Sequence, residues 1–67
     1  MTYYRLYFLG REGRIESFAE IEAESDVAAI PAAEAYQGTH ALELWCGGRR
    51  VHAIEAQPVS VDTQRAA

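Results

Sequence analysis

Apolar and polar residues alternate through Ala41-Leu-Glu-Leu-Trp45 and again through Arg50-Val-His-Ala-Ile54, with Gly47-Gly48 between the two runs. A period of two marks a strand with one buried face, and a Gly-Gly pair able to take positive φ makes a hairpin turn. The register this predicts pairs Leu44 with Val51 and Leu42 with Ala53 on the core side. It sets Trp45 opposite Arg50 and Glu43 opposite His52 on the outer side. Arg beside an indole suits a cation–π contact and Glu against His an ion pair, each worth about 0.5–1 kcal/mol when exposed.

A second hairpin is expected at the N-terminus. Residues 3–9 (Tyr-Tyr-Arg-Leu-Tyr-Phe-Leu) have strand composition, Gly10-Arg-Glu-Gly13 supplies a turn, and a second strand runs from about Arg14 to Ala23. An unbulged pairing sets Phe8 against Ile15, Leu6 against Ser17 and Tyr4 against Ala19 on one side. On the other side lie Tyr7–Glu16, Arg5–Phe18 and Tyr3–Glu20, so that Glu16, Glu20 and Glu22 share a face with Arg5. A bulge at Gly13 would instead put Phe8 opposite Glu16, so the unbulged form is preferred.

Between the hairpins, Ser25 is suited to cap a helix, Asp26 favours the positive end of its dipole, and Gly38 marks its end. The expected apolar stripe is Val27, Ile30, Ala33 and Tyr36. Pro31 falls past the first turn, where it removes a hydrogen bond to the Val27 carbonyl, so a kink or a broken first turn is expected. The sum is an α+β domain over residues 1–56, in the order β-β-α-β-β. It has one four-stranded antiparallel sheet in spatial order 2-1-3-4, a helix across one face, and a frayed tail over residues 57–67.

Several segments together carry a resemblance: Tyr4-Arg-Leu-Tyr-Phe-Leu9, Gly13-Arg-Ile15, Glu20-Ile-Glu-Ala23, Ser25-Asp26, Ala29-Ile30, Ala33-Glu34 and Glu43-Leu-Trp45 with Arg50 and Val51. Over about residues 3–55 the chain resembles a group of short alphaproteobacterial proteins with no assigned activity. The Tyr-Arg-Leu-Tyr-Phe-Leu and Glu-Leu-Trp segments are its distinctive parts. The resemblance implies a bacterial, cytoplasmic protein of similar fold and carries no reaction. Pro31 departs from the helix expected of the group.

Composition narrows the function classes. With 67 residues, the chain belongs to a size that seldom folds alone without disulfides, a metal or a partner subunit, and its single cysteine rules out an internal disulfide. Self-association or an unusually well-filled core is therefore needed, and self-association is preferred. Net charge −4 with six basic residues, none of them Lys, argues against a binder held by phosphate contacts. The apolar run at residues 3–9 is short, contains Arg5 and has no basic leader, so it does not read as a signal peptide, and no stretch is suited to span a bilayer. One free thiol without an export signal points to a reducing cytoplasm.

Candidate chemistry is sparse. His40, Cys46 and His52 are the usual soft metal ligands, but the expected register points Cys46 and His52 to opposite faces and no Cys-x-x-Cys pair begins a zinc site. No metal and no cofactor is therefore expected. Cys46 adjoins a glycine turn with no third group to orient a base, and an enzyme would require a pocket that brings Cys46 or a histidine beside a carboxylate. The acidic set Glu16, Glu20, Glu22, Glu24 and Asp26 suggests paired carboxylates for acid–base work, but alternation places most of them along one solvated strand face, and solvation is the preferred reading. Neither glycine loop leads into a helix N-terminus as a phosphate cradle does. The outer sheet face stands apart: Tyr3, Tyr7, Phe18 and Trp45, with Arg5 and Arg50, are too many aromatics for a surface meant only for water. The expected function is a non-enzymatic, homodimeric interaction or regulatory module joined through that face. The alternative is a sheet that binds a small ligand or stacks bases of single-stranded nucleic acid, which the negative charge disfavours.

Overall fold

A computed structural model describes residues 1–57 of the chain. It shows four strands and one helix: β1 (Thr2–Leu9), β2 (Ile15–Ala23), α1 (Asp26–Glu34), β3 (Ala41–Cys46) and β4 (Arg49–Ile54), with a single 3₁₀ turn at Arg11–Gly13. The strands form one antiparallel sheet in the order β2-β1-β3-β4. This is the expected α+β arrangement, down to the strand order. The frayed tail expected at 57–67 lies beyond the described residues except for Gln57, whose backbone N–H donates to the Gly38 carbonyl at 2.8 Å.

The first hairpin is correct in its faces and wrong in its register. Glu12 and Gly13 both take left-handed φ (65° and 76°), and Gly10 N–H closes the loop on the Arg14 carbonyl, which lengthens the turn by one residue. A bulge between Phe8 and Leu9 then leaves Glu16 as the extra residue on β2. The two offsets add to two, an even number, so every side chain past the bulge keeps its predicted face although its partner changes. Phe8 now faces Ser17, Leu6 faces Ala19, Tyr4 faces Ile21, Tyr7 faces Phe18, Arg5 faces Glu20 and Tyr3 faces Glu22. Only Ile15 and Glu16, before the second offset is made up, exchange sides. Ile15 joins Tyr7 and Trp45 on the outer face, and Glu16 leaves that face for His40.

The second hairpin turns on Gly47-Gly48 as expected, with positive φ at Gly47 (61°) and the pairs Cys46–Arg49 and Trp45–Arg50. One residue later the register slips, giving Leu44–His52, Glu43–Ala53 and Leu42–Ile54 in place of Leu44–Val51, Glu43–His52 and Leu42–Ala53. The slip exchanges an alanine for an isoleucine at the core: Ile54 is buried and Ala53 exposed. The added apolar burial is the physical reason to accept the bulge.

The helix begins at the expected cap, where Ser25 Oγ accepts from Ala28 N–H at 3.4 Å and the Ser25 carbonyl accepts from Ala29 N–H at 2.9 Å. Its first turn is intact, contrary to the break expected at Pro31, and the helix runs as one element through that residue. Val27 and Pro31 are both exposed, so the carbonyl that Pro31 leaves unbonded belongs to the solvent side of the helix, where water can satisfy it. The helix stops at Glu34, short of Gly38, through tightened bonds from Tyr36 N–H to Ala33 O and from Gln37 N–H to Glu34 O. The predicted stripe is also rotated. Ala29 and Ala33 are fully buried and Ile30 packs beside them, whereas Val27 is 80% exposed and Tyr36 is largely exposed. Methyl side chains let the helix lie close on the sheet, and a stripe through Val27 would hold it away.

The core occupies the space between α1 and one sheet face: Tyr4, Leu6, Ile21, Ala23, Ala29, Ala33, Leu42, Leu44 and Ile54. Leu6, Leu42 and Leu44 are its largest fully buried side chains. No helix among the described residues is long and apolar enough to cross a membrane.

Candidate functional site: the outer sheet face

Alternation on β1 sends Tyr4 and Leu6 under the helix and leaves Tyr3, Arg5 and Tyr7 on the opposite face. From β2 that face receives Ile15, Phe18, Glu20 and Glu22, from β3 Glu43 and Trp45, and from β4 Arg50 and Ala53. All six residues read from the sequence as a contact surface, Tyr3, Arg5, Tyr7, Phe18, Trp45 and Arg50, thus share this side. Tyr3 is 71% exposed, Ile15 58% and Phe18 52%, while Tyr7 and Trp45 are half-buried against their neighbours.

The strand register arranges these side chains in rows across the sheet. One row is Glu20, Arg5, Trp45 and Arg50; the next is Phe18, Tyr7, Glu43 and Ala53. Arg5 lies over the Phe18 ring, 4.5 Å from its centroid, and reaches Glu20 at 3.5 Å. Phe18 also meets Tyr7 at a centroid separation of 6.3 Å. Trp45 Nε1–H donates to Glu43 Oε1 at 3.0 Å, and Arg50 approaches Glu43 Oε2 at 3.5 Å. Glu43 thus binds Trp45 and Arg50 rather than the predicted His52, and the guanidinium stacked on a ring is Arg5 on Phe18 rather than Arg50 on Trp45. A shallow hollow of about 310 Å³ runs between Tyr7, Ile15, Glu43, Trp45 and Gly47.

The helix side holds a cluster that the sequence reading did not anticipate. Tyr4 is 3% exposed, and its hydroxyl donates to Asp26 Oδ1 at 2.8 Å, while Arg49 grips the same carboxylate at 3.0 and 3.3 Å. Burial raises the Tyr4 phenol above its ordinary value, helped by the Asp26 carboxylate. The Arg49 hydrogen bonds, followed by that from Tyr4, lower Asp26 below its ordinary value, and the same bonds raise Arg49. The available signal was the buried side of Tyr4, because a phenol in a core needs a polar partner.

Both histidines meet carboxylates. His40 Nε2 lies 3.1 Å from Glu16 Oε1 and its ring stands edge-on to Phe8. His40 and Glu16 both line an open depression with Leu9, Gly10, Arg11 and Thr39, so the histidine–carboxylate pairing in a pocket that an enzyme would require is present here, between side chains 44% and 55% exposed. His52 lies 3.8 Å from Glu34 at the end of the helix. The bulge in β4 turns His52 to the helix side, so Cys46 and His52 do not point to opposite faces as the unbulged register required: Cys46 packs against the same core. Among the described residues, no three His, Cys, Asp or Glu side chains are grouped to hold a metal ion. No family model, curated protein or solved structure matches this chain.

Proposed function

We propose that the chain is a small non-enzymatic interaction module whose outer sheet face is covered by a second copy, with Tyr3, Arg5, Tyr7, Phe18, Trp45 and Arg50 in the contact. One observation carries this reading: α1 covers one side of the sheet, while the opposite side presents Tyr3, Ile15 and Phe18 more than half exposed, beside Tyr7 and Trp45. A contiguous aromatic patch of this kind on a small soluble domain marks a surface built for contact. Four strands about 4.8 Å apart and some seven residues long span roughly 19 by 24 Å. Two such faces, with their side-chain relief, remove on the order of 1,000 Å² from water, the lower bound for a specific interface. Glu20, Glu22 and Glu43 on the same face work against a polyanion such as single-stranded nucleic acid.

Sedimentation of the purified chain from about 1 to 100 μM tests the reading, with Phe18→Asp alongside. Dimer formation that Phe18→Asp abolishes without loss of circular dichroism supports it. A monomer throughout that range, or a dimer indifferent to Phe18→Asp, overturns it.

A further inference from the structure

We infer that the two-fold axis of this pair runs parallel to the strands, between β1 and β3, so that β2 of each copy lies over β4 of the other and Glu20 faces Arg50 of the second copy. This deepens the reading above and rests on it. Charge is distributed unevenly over the columns of the outer face. The column on β2 is acidic, with Glu20 and Glu22, whereas β4 contributes Arg50, and the row Glu20, Arg5, Trp45, Arg50 sits at one height along the strands.

A two-fold parallel to the strands keeps each residue's height and exchanges left for right. It therefore sets Glu20 against Arg50 and Arg5 against Trp45, each twice. In the neighbouring row it sets Tyr7 against Glu43 and Phe18 against Ala53. These are an ion pair, a guanidinium on an indole, a phenol on a carboxylate and a large ring over a small side chain. A two-fold in the sheet plane but perpendicular to the strands keeps the columns and reverses the heights. The acidic β2 column then lies over its own image, and Arg50 lies in the same column as Arg50. Edge-to-edge pairing of two β2 strands likewise gathers their glutamates. Like charges brought together in a desolvated contact suppress both alternatives. Aligned sheets pack with their strands about 30° apart, which leaves the central Arg5–Trp45 row nearly superposed.

Charge reversal in one copy and then in the other is the test. Glu20→Arg and Arg50→Glu should each weaken the dimer at least tenfold by sedimentation. An equimolar mixture of the two variants should restore it, because Arg at 20 then meets Glu at 50 and native Glu20 meets native Arg50. The double variant should also dimerise. Dimers that persist in both single variants, or a mixture that stays monomeric, overturn the axis but leave the covered face intact. A monomeric unaltered chain removes both. Glu20 and Arg50 are exposed, with side-chain exposures of 69% and 57%, and circular dichroism checks that each variant folds. Isotope-filtered NOEs on the unaltered chain provide a second measurement. Cross-peaks between the Phe18 ring and the Ala53 methyl of the second copy are expected, and cross-peaks from Phe18 to Glu22 of the second copy instead would refute the proposal.

Discussion

Replacing Leu44 with alanine should cost about 3–5 kcal/mol, a loss large enough to threaten the whole fold. Leu44 has no exposed surface, faces Leu6 across β1 and belongs to the cluster under Ala29 and Ala33. Leu→Ala changes in cores cost roughly 2.7–5 kcal/mol, and a site's place in that range depends on how far its neighbours close the hole. Closure is restricted here. The fully buried helix residues on that side, Ala29 and Ala33, offer only methyl groups, with Ile30 packed beside them, and Leu6 and Leu42 are held by strand pairing on β1 and β3. In a domain of 60–100 residues each kcal/mol moves Tm by about 4–8 °C, so a fall of at least about 12 °C is expected. Thermal and urea unfolding followed by circular dichroism at several protein concentrations measures it, the series separating core loss from any linked association. Leu9→Ala, at a half-buried position, is the control and should cost less than about 1.5 kcal/mol. A loss at Leu44 no larger than that at Leu9 would refute the claim that a thin leucine layer under the alanines holds the domain together.

Because Asp26 is lowered in the folded state, its contribution should be complete above the unfolded value of about 3.9 and disappear as pH falls through the lower folded value; Asp26→Asn should flatten this acid limb of a stability–pH curve. Tyr4 is raised, so its contribution should be complete below about pH 10 and decline as pH rises through the folded value, and Tyr4→Phe should flatten the alkaline limb. Gly47→Val places a β-branched residue at φ 61° and should cost about 1–2 kcal/mol in urea unfolding, although nothing lies near its new Cβ.

Element order, strand order and the faces of β1, β3 and β2 beyond Glu16 were legible because period-two alternation specifies faces strongly and the Gly47-Gly48 and Ser25-Asp26 signals are local, whereas Ile15, Glu16, His52 and Ala53 changed sides. Register was less legible. In the first hairpin, the longer turn and the bulge at Glu16 each add one residue, and their sum restores the pattern, so alternation alone does not register either. In the second, the choice between Ala53 and Ile54 for the core depends on burial gained across strands. The helix stripe was legible in part: Ile30 and Ala33 do face the core, but Val27, conspicuous in an alanine-rich segment, is exposed, and Ala29 takes its place because close contact with the sheet selects a methyl group. The Tyr4–Asp26–Arg49 cluster joins residues 22 and 23 positions apart, beyond the reach of any local pattern.

The same cluster makes the two ends of α1 unequal. Its beginning is tied by Asp26 to β1 through Tyr4 and to β4 through Arg49 with hydrogen bonds of 2.8 to 3.3 Å, whereas its end is held by the longer 3.8 Å approach of His52 to Glu34, the edge-on contact of Tyr36 with Phe8 and the tightened turns at Tyr36 and Gln37. Transient opening should therefore start at the C-terminal turn and travel backwards, with amide protons near Gln37 exchanging with deuterium first and those near Ala29 only when the hairpins themselves separate.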